Sequence, residues 1–582
     1  MHLSNLCLQA RNRLPAVLRL LLLAGVAQAA ALALPSENEI VERSLWNCNA
    51  LFFRHALPSN ATLERVQVVP AGGTFGENAT NIPYPYWPTN LPQLCAVIVN
   101  VTSSPSSSFR FGLLLPTVWN SRFLAVGNGG YAGGINWLSA GSGTHYGFAV
   151  VSTDTGHSSN VLDGTWALNA PEKKADWGWR SIHGSVELGK TLTAAYYGGK
   201  VRYSYFSGCS TGGRQGMKEV QIAPDSFDGA LIGSSAWDSN VLNTYVTQLG
   251  IYNLPVGAPN YIAYTRFPVV AEQVRAQCDG VDGVVDGIVS APERCRFDYA
   301  KIQCGSPSVV LNASACFTAP QVQTLKNIYS DWYDNRTGAY LYPGLLMGSE
   351  DMWLAGTLLG YAEPSPFGIG FAQDFVYDDP TWQWQTFNDS IVDTARRVNP
   401  GNATADQYDL SAFRRRGGKM IMYHGLADGL VPTKGSELYY NRTLQTMGGG
   451  HAKDSARGHG KGKANGVDDF LRLFMIPGMQ HCYATAVDAP WYINGEFQAD
   501  LMGTGLWSVP GFADAKHDAL LALMEWTESG RAPDEIIATT WKTSTNPLSG
   551  VLRQRPLCPY PKTAVWNKRS DVNKASSWHC SD

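Results

Sequence analysis

The sequence has few charged residues and no large excess of either sign. Asp, Glu, Lys and Arg make up 16% of its 582 residues, and the formal net charge is −3. Because positive and negative charges nearly balance, the chain has no electrostatic basis for binding nucleic acid or an anionic membrane. Neither is expected as a partner. Beyond residue 34 there is no further apolar run long enough to span a bilayer. The length favours one large domain with an insertion over four independent domains.

The long apolar run lies near the N-terminus. Three arginines within the first 19 residues precede the run Leu20–Ala27, and Ala27-Gln28-Ala29 supplies the small-x-small pattern of a cleavage site. The charge-free stretch 20–34 has 15 residues, whereas a membrane-spanning helix needs roughly 20. We therefore expect residues 1–29 to be an export signal and not a membrane anchor, and the mature protein to be secreted.

The strongest functional signal is the stretch Tyr203–Gly216, YSYFSGCSTGGRQG. A β-prone run ends at Gly208-Cys209-Ser210-Thr211-Gly212, and a helical pattern follows over 213–222. A serine between a strand and a helix, with glycine two residues to either side, is typical of a nucleophile elbow, because the strained turn needs small neighbours. The N-terminus of the helix adds partial positive charge where an oxyanion would form. The pentapeptide alone occurs by chance about 0.5 times in such a chain, so its flanking elements make the prediction.

Two later segments supply an acid and a base. The apolar strand pattern Lys419–Tyr423 leads to Asp428, and Phe470–Ile476 leads to His481. Each residue alone has an ordinary structural explanation, as a turn aspartate or a hydrogen-bonded structural histidine. Together, the chain order Ser210, Asp428, His481 and the positions after strands favour the catalytic triad of an α/β-hydrolase.

A glycine-rich loop is expected to complete the site. Short strands are predicted at Ala96–Val101, Phe111–Leu115, Arg122–Val126 and Phe148–Ser152, and the loop 127–134 follows the third of them. Esterases place a second oxyanion donor in such a loop. We expect the N–H groups of Thr211 and of Gly129 or Gly130, with Gly130 favoured, to bind the oxyanion; the alternative is an ordinary flexible loop. Asp154 and His157 are interpreted as structural polar groups near the site.

The cysteines indicate a disulfide framework. Removing the signal removes Cys7 and leaves ten: Cys48, Cys95, Cys209, Cys278, Cys295, Cys304, Cys316, Cys482, Cys558 and Cys580. An even number in an exported chain is typical of paired cysteines. Cys209 precedes Ser210 and Cys482 follows His481, so a working triad would bring the two within disulfide distance; the alternative is a pair of buried thiols. Glycosylation acceptors begin at Asn60, Asn78, Asn100, Asn312, Asn335, Asn388, Asn402 and Asn441.

The Cys-Ser…Asp…His-Cys pattern resembles the tannase and feruloyl esterase family of secreted hydrolases, from about Cys48 to the C-terminus. The elbow region, 205–219 with 225–230, looks most similar to the fungal feruloyl esterases of type B. The resemblance implies an α/β-hydrolase fold and the release of ferulate and p-coumarate from plant cell-wall polysaccharide. It also implies the disulfides Cys48–Cys95, Cys209–Cys482, Cys278–Cys295, Cys304–Cys316 and Cys558–Cys580. The alternatives are a tannase that cleaves galloyl esters, an inactive binding protein on a hydrolase scaffold, and a peptidase of the same fold.

The middle of the chain is expected to form a lid. We assign 30–233 and 417–582 to the catalytic domain and 234–416 to an inserted lid, and an amphipathic helix is predicted at Asp514–Gly530.

Within the lid, Asp279, Asp282 and Asp286 crowd a glycine-bearing loop. Such close carboxylates favour a hard cation such as calcium, although the spacing is not that of an EF-hand. The resemblance adds the carbonyls of Val284 and Ile288 as ligands of a structural Ca²⁺. The alternative is a solvated acidic turn.

Overall fold

The protein is described from a computed structural model that covers residues 45–77, 84, 86–357, 359, 361–448, 466–503 and 505–582. The expected signal 1–29, Cys7 and the acceptor Asn78 lie outside the described residues. In the part of the chain that the structure describes, no helix combines the length and apolar character needed to cross a membrane.

A nine-stranded mixed sheet forms the centre of the molecule. Among the described residues, its strands and those of three separate two-stranded sheets are β1 (Ala61–Val69), β2 (Leu94–Ser104), β3 (Ser107–Pro116), β4 (Arg122–Val126), β5 (Ala149–Thr153), β6 (Tyr203–Cys209), β7 (Gly229–Gly233), β8 (Trp332–Tyr333), β9 (Tyr340–Tyr342), β10 (Lys419–Gly425), β11 (Leu471–Ile476), β12 (Ile536–Thr543), β13 (Asn546–Leu557), β14 (Thr563–Trp566) and β15 (Trp578–Ser581). The two-stranded sheets are β8-β9, β12-β13 and β14-β15. The order in the large sheet is β1-β2-β3-β5-β4-β6-β7-β10-β11. From β1 to β5 the neighbours are antiparallel, and from β5 to β11 they are parallel.

The parallel strands are buried on both faces. In β10, Met420 and Met422 belong to one apolar cluster, whereas Ile421 and Tyr423 belong to the cluster on the opposite face. This alternation follows from the two-residue period of a strand, and a strand covered on both faces reads as a continuous apolar run. Because β6, β10 and β11 run parallel, their carboxyl ends lie at the same edge of the sheet. The predicted triad residues follow these strand ends.

Helices cover both faces of the sheet. The α-helices of the described residues are α1 (Ala50–Ala56), α2 (Trp137–Thr144), α3 (Pro171–Ala175), α4 (Ser181–Tyr197), α5 (Thr211–Ile222), α6 (Ser239–Tyr252), α7 (Phe267–Cys278), α8 (Ala319–Tyr329), α9 (Pro366–Gly370), α10 (Ser390–Val398), α11 (Ser411–Arg415), α12 (Lys434–Met447), α13 (Gln498–Met502) and α14 (Ala519–Ser529). Of these, α6 to α11 belong to the segment between β7 and β10. Helix α14 is shorter than the predicted Asp514–Gly530. Its N-cap is Asp518, whose carboxylate accepts the N–H groups of Leu520 and Leu521 and so begins the helix there.

The segment between β7 and β10 is an insertion with a core of its own. It contains α6 to α11 and the two-stranded sheet β8-β9. Its apolar cluster includes Trp353, which is fully buried. Because this cluster is distinct from those of the large sheet, the insertion can place side chains over the sheet edge without being part of it.

The structure contains the five disulfides that the family resemblance implies. They join Cys48 to Cys95, Cys209 to Cys482, Cys278 to Cys295, Cys304 to Cys316, and Cys558 to Cys580. Three of the five close short loops of 12 to 22 residues, whereas Cys209–Cys482 spans 273 residues. That bond therefore links two distant parts of the chain.

Candidate active site

Ser210 occupies a strained turn between β6 and α5. Its φ and ψ angles are 61° and −124°, a region that non-glycine residues rarely adopt. The turn is held by the Ser210 N–H, which donates to the Gly233 carbonyl, and by the Ser210 carbonyl, which accepts the N–H of Ala236. A Cβ on Gly208 would lie 2.6 Å from the backbone of Gly212. The glycine there allows strand and helix to approach closely, as an elbow requires.

Asp428 and His481 meet beside this turn. His481 Nδ1 lies 2.7 Å from Asp428 Oδ2, and the Asp428 side chain is completely buried. The other oxygen, Oδ1, accepts the N–H groups of Leu430 and Val431, each at 2.9 Å. Since Nδ1 faces a carboxylate, Nε2 is the ring nitrogen left to accept a proton.

A second imidazole contacts the same carboxylate. His424 Nε2 lies 3.0 Å from Asp428 Oδ2. Burial by itself raises the pKa of Asp428, but the charge of His481 and the hydrogen bonds from His424 and His481 outweigh it and hold the pKa well below its usual value. Asp428 is therefore an anion throughout the neutral range and can stabilise a positive charge on His481.

The Cys209–Cys482 disulfide fixes the separation of the serine turn and the histidine loop. The two Cα atoms are 5.9 Å apart, and both cysteine side chains are buried. Cys482 has a positive φ of 64°, so the backbone next to His481 is also in a constrained conformation. Thus the structure brings together Ser210, Asp428 and His481, the three residues that the sequence suggested as a triad.

The two predicted oxyanion donors face the same space as Ser210. Gly130 and Thr211 line one small pocket with it. The Gly129 N–H donates to the Tyr84 hydroxyl at 2.9 Å, whereas the N–H groups of Gly130 and Thr211 have no acceptor among the described residues. Of the two glycines, Gly130 is therefore the one whose N–H is available to a ligand.

Asp154 and His157 support the glycine-rich loop. Asp154 Oδ1 accepts the N–H groups of Arg110 and Gly156 at 2.8 Å each. His157 Nε2 lies 2.9 Å from the Tyr131 carbonyl, next to Gly130, and its ring stacks on Trp166. Burial raises the pKa of Asp154 to about 7 and lowers the pKa of His157 to about 4, so neither is charged in mildly acidic solution. These contacts are structural, in agreement with the sequence interpretation.

A cavity of about 630 Å³ lies beside the nucleophile turn, lined by Ser210, Gly130 and His481. Its volume is within the usual range of ligand sites, about 300–1,000 Å³. Its remaining walls include Tyr84, Tyr86, Tyr483 and Phe497 from the catalytic part, and Met352, Ala355, Gly356 and Phe367 from the insertion. Asp500 also lines it, and burial, followed by the charge of Glu496, raises the pKa of its carboxyl well above the usual value. The cavity thus combines aromatic walls with a carboxyl group whose pKa is raised.

The acidic loop of the insertion is neutralised in part by arginines. Arg555 pairs with the buried Asp286 carboxylate, and Asp279 accepts the N–H groups of Asp286 and Gly287. Among the described residues, no cluster of three or more His, Cys, Asp and Glu side chains has metal-binding geometry. Repulsion between carboxylates therefore does not by itself require a cation, and calcium at Asp279, Asp282, Val284, Asp286 and Ile288 stays a prediction.

Sequence reasoning missed three residues of the site: Tyr84, His424 and Asp500. His424 stands four residues before Asp428, and that spacing was the available signal. Tyr84 precedes β2 and Asp500 lies in the short helix α13, both outside the motifs, and no local pattern distinguishes them.

The chain is similar to known proteins in both sequence and fold. A model of the family described as tannase and feruloyl esterase matches residues 95–581. A probable feruloyl esterase B-1 of Aspergillus terreus is 33% identical over 488 residues, which are 84% of this chain and 86% of that protein. The crystal structure of feruloyl esterase B from Aspergillus oryzae superposes with a TM-score of 0.81 at 28% identity, covering 92% of this chain and all of that one. A tannin acyl hydrolase of Aspergillus niger shares the fold, with a TM-score of 0.69 at 20% identity over 94% of this chain and 96% of that one. The predicted α/β-hydrolase fold is confirmed.

Proposed function

Because this chain belongs to the tannase and feruloyl esterase family, it is a carboxylic ester hydrolase, and we propose that it releases hydroxycinnamic acids such as ferulate and p-coumarate from plant cell-wall polysaccharide. The observation that supports a serine mechanism is that Ser210 and His481 line one cavity while the buried Asp428 contacts His481 Nδ1, with Cys209–Cys482 joining the nucleophile turn to the base loop.

The proposed reaction begins with proton transfer. His481 Nε2 takes the proton of Ser210 Oγ as the oxygen attacks the ester carbonyl. Asp428, which accepts from Nδ1, stabilises the imidazolium that forms. The N–H groups of Gly130 and Thr211 bind the oxyanion of the tetrahedral intermediate. His481 then protonates the leaving alcohol, and a water molecule, activated by the same base, hydrolyses the acyl-enzyme and frees the acid.

The cavity walls favour a planar aromatic acyl group. Tyr84, Tyr483 and Phe497 provide ring surfaces, and the insertion adds Met352 and Phe367 to the cavity lining. Aromatic faces pack well against a cinnamoyl ring. The relatives named feruloyl esterase B support the same substrate class for this chain.

The test is an ester panel with a matched active-site variant. The wild type and Ser210→Ala are assayed with methyl ferulate, methyl p-coumarate, methyl gallate and a chromogenic peptide. We expect turnover of the two cinnamoyl esters and loss of activity in Ser210→Ala by at least about 10³-fold. Faster turnover of methyl gallate would favour a tannase, peptide cleavage a peptidase, and equal traces for the wild type and the variant would overturn the serine hydrolase.

We propose that the chain is exported after removal of residues 1–29. The five disulfides support this proposal, since such bonds form and persist in oxidising compartments. N-terminal sequencing of protein collected from the culture medium should begin at Ala30. Retention of residues 1–29 in a membrane fraction would contradict export.

We also propose a structural Ca²⁺ held by Asp279, Asp282 and Asp286 with the carbonyls of Val284 and Ile288. In support of this proposal, Asp279 accepts the N–H groups of Asp286 and Gly287, so that two parts of the acidic loop are in contact, and calcium prefers oxygen ligands. Metal analysis of the purified protein should find one calcium per chain, and EGTA should lower the Tm. A protein free of calcium with a Tm that added calcium does not raise would exclude the site.

A further inference from the structure

His424 lies at the end of β10 and is completely buried. Its Nε2 atom is 3.0 Å from Asp428 Oδ2 and 3.1 Å from the Val431 carbonyl oxygen. Its Nδ1 atom is 2.8 Å from Ser436 Oγ, on α12. The ring therefore connects the strand, the loop that contains the catalytic acid, and the following helix.

The neighbours define the proton position on this ring. A carboxylate and a carbonyl can only accept hydrogen bonds, so Nε2 must carry a proton and donate to both. The Ser436 hydroxyl can then donate to Nδ1. A neutral ring with its proton on Nε2 satisfies all three contacts, and neither nitrogen is left to react with a substrate.

Asp428 thus receives donors on both oxygens. Two backbone N–H groups, of Leu430 and Val431, hold Oδ1, while His424 and His481 both donate to Oδ2. The backbone bonds hold one oxygen, and His424, whose ring is itself held by Val431 and Ser436, supplies a fixed donor to the other. His481, by contrast, lines the cavity and is the residue that exchanges protons in the proposed reaction.

We infer that His424 is a positioning residue, which donates from Nε2 to Asp428 Oδ2 and holds the carboxylate in the plane that the Nδ1–H group of His481 requires. The inference rests on the proposed function. Without this donor, Asp428 keeps its charge but not its orientation, so the loss appears in the chemical step and not in substrate binding.

The experiment compares His424→Phe with His424→Gln, using methyl ferulate. Phenylalanine fills the space but cannot donate, whereas the glutamine amide nitrogen reaches the position of Nε2 and can. We expect kcat of His424→Phe to fall by about 10- to 100-fold at an unchanged KM, and His424→Gln to recover most of it. Activities are normalised to the folded fraction measured by circular dichroism.

Ser436→Ala gives an independent measurement if His424→Phe does not fold. Losing the hydroxyl removes the partner of Nδ1, and we expect a several-fold lower kcat at the same KM. Equal kcat values for the Phe and Gln variants, or a Ser436→Ala variant with wild-type kcat where the Phe variant is unfolded, would overturn the role of His424 while Ser210-dependent turnover remains. A wild type no faster than Ser210→Ala would overturn both this role and the proposed function.

Discussion

Removing the Cys209–Cys482 disulfide should damage catalysis more than stability alone explains. In the chain-entropy account, a bond that spans 273 residues stabilises the folded state by about 5 to 6 kcal/mol, and one that spans 12 residues by about 3 kcal/mol. Cys209→Ala/Cys482→Ala should therefore lower the free energy of unfolding by about 2 to 3 kcal/mol more than the control Cys304→Ala/Cys316→Ala, which lies far from the triad in the chain.

The catalytic effect follows from geometry. Each cysteine is covalently adjacent to a reacting residue, so the bond limits the distance between Ser210 and His481. A displacement of 1 Å between reacting groups can cost about 100-fold in rate. Denaturant unfolding gives the stability of both double variants, and kcat on methyl ferulate is measured at a temperature where each is folded. We expect about 100-fold lower kcat only in the Cys209/Cys482 variant. Equal kcat in the two double variants would refute the role of this disulfide in positioning the triad.

Two further predictions concern the glycine-rich loop and its support. Gly130→Ala should lower kcat by about 10² to 10³-fold, because φ at Gly130 is +52° and a Cβ would lie 2.4 Å from the Val161 carbonyl oxygen. In the control Gly129→Ala the atom nearest to the new Cβ is 3.8 Å away, so the loss of kcat should stay within about tenfold. Similar kcat values for the two variants would contradict the assignment of Gly130. Asp154 has its folded-state pKa raised to about 7, so the unfolded chain loses this proton near pH 4 and the folded protein near pH 7, and the contribution of this group to stability falls as pH rises between them. Asp154→Asn removes that penalty of up to about 4 kcal/mol, so its Tm should exceed that of the wild type at pH 8 and approach it at pH 4; a constant difference in Tm across this range would exclude the titration.

The local elements of the site were predictable because each has a short-range cause. Buried parallel strands read as continuous apolar runs, so β4 was predicted with its observed bounds, Arg122–Val126. The elbow was visible because its strained turn requires small residues at fixed spacing around Ser210. The edge strand β1 was missed, since one face is solvated and charged residues interrupt its pattern.

The sequence by itself determined which residue types stand at the ends of the strands, and hence the order Ser210, Asp428, His481. Only the tertiary structure decided which groups share a partner: that His424 and His481 meet on one carboxylate, that Gly129 rather than Gly130 donates to Tyr84, and that Arg555 balances Asp286. The physical reason is distance along the chain. Strand and helix patterns depend on neighbours a few residues away, whereas these contacts join segments up to 269 residues apart and exist only once the chain has folded.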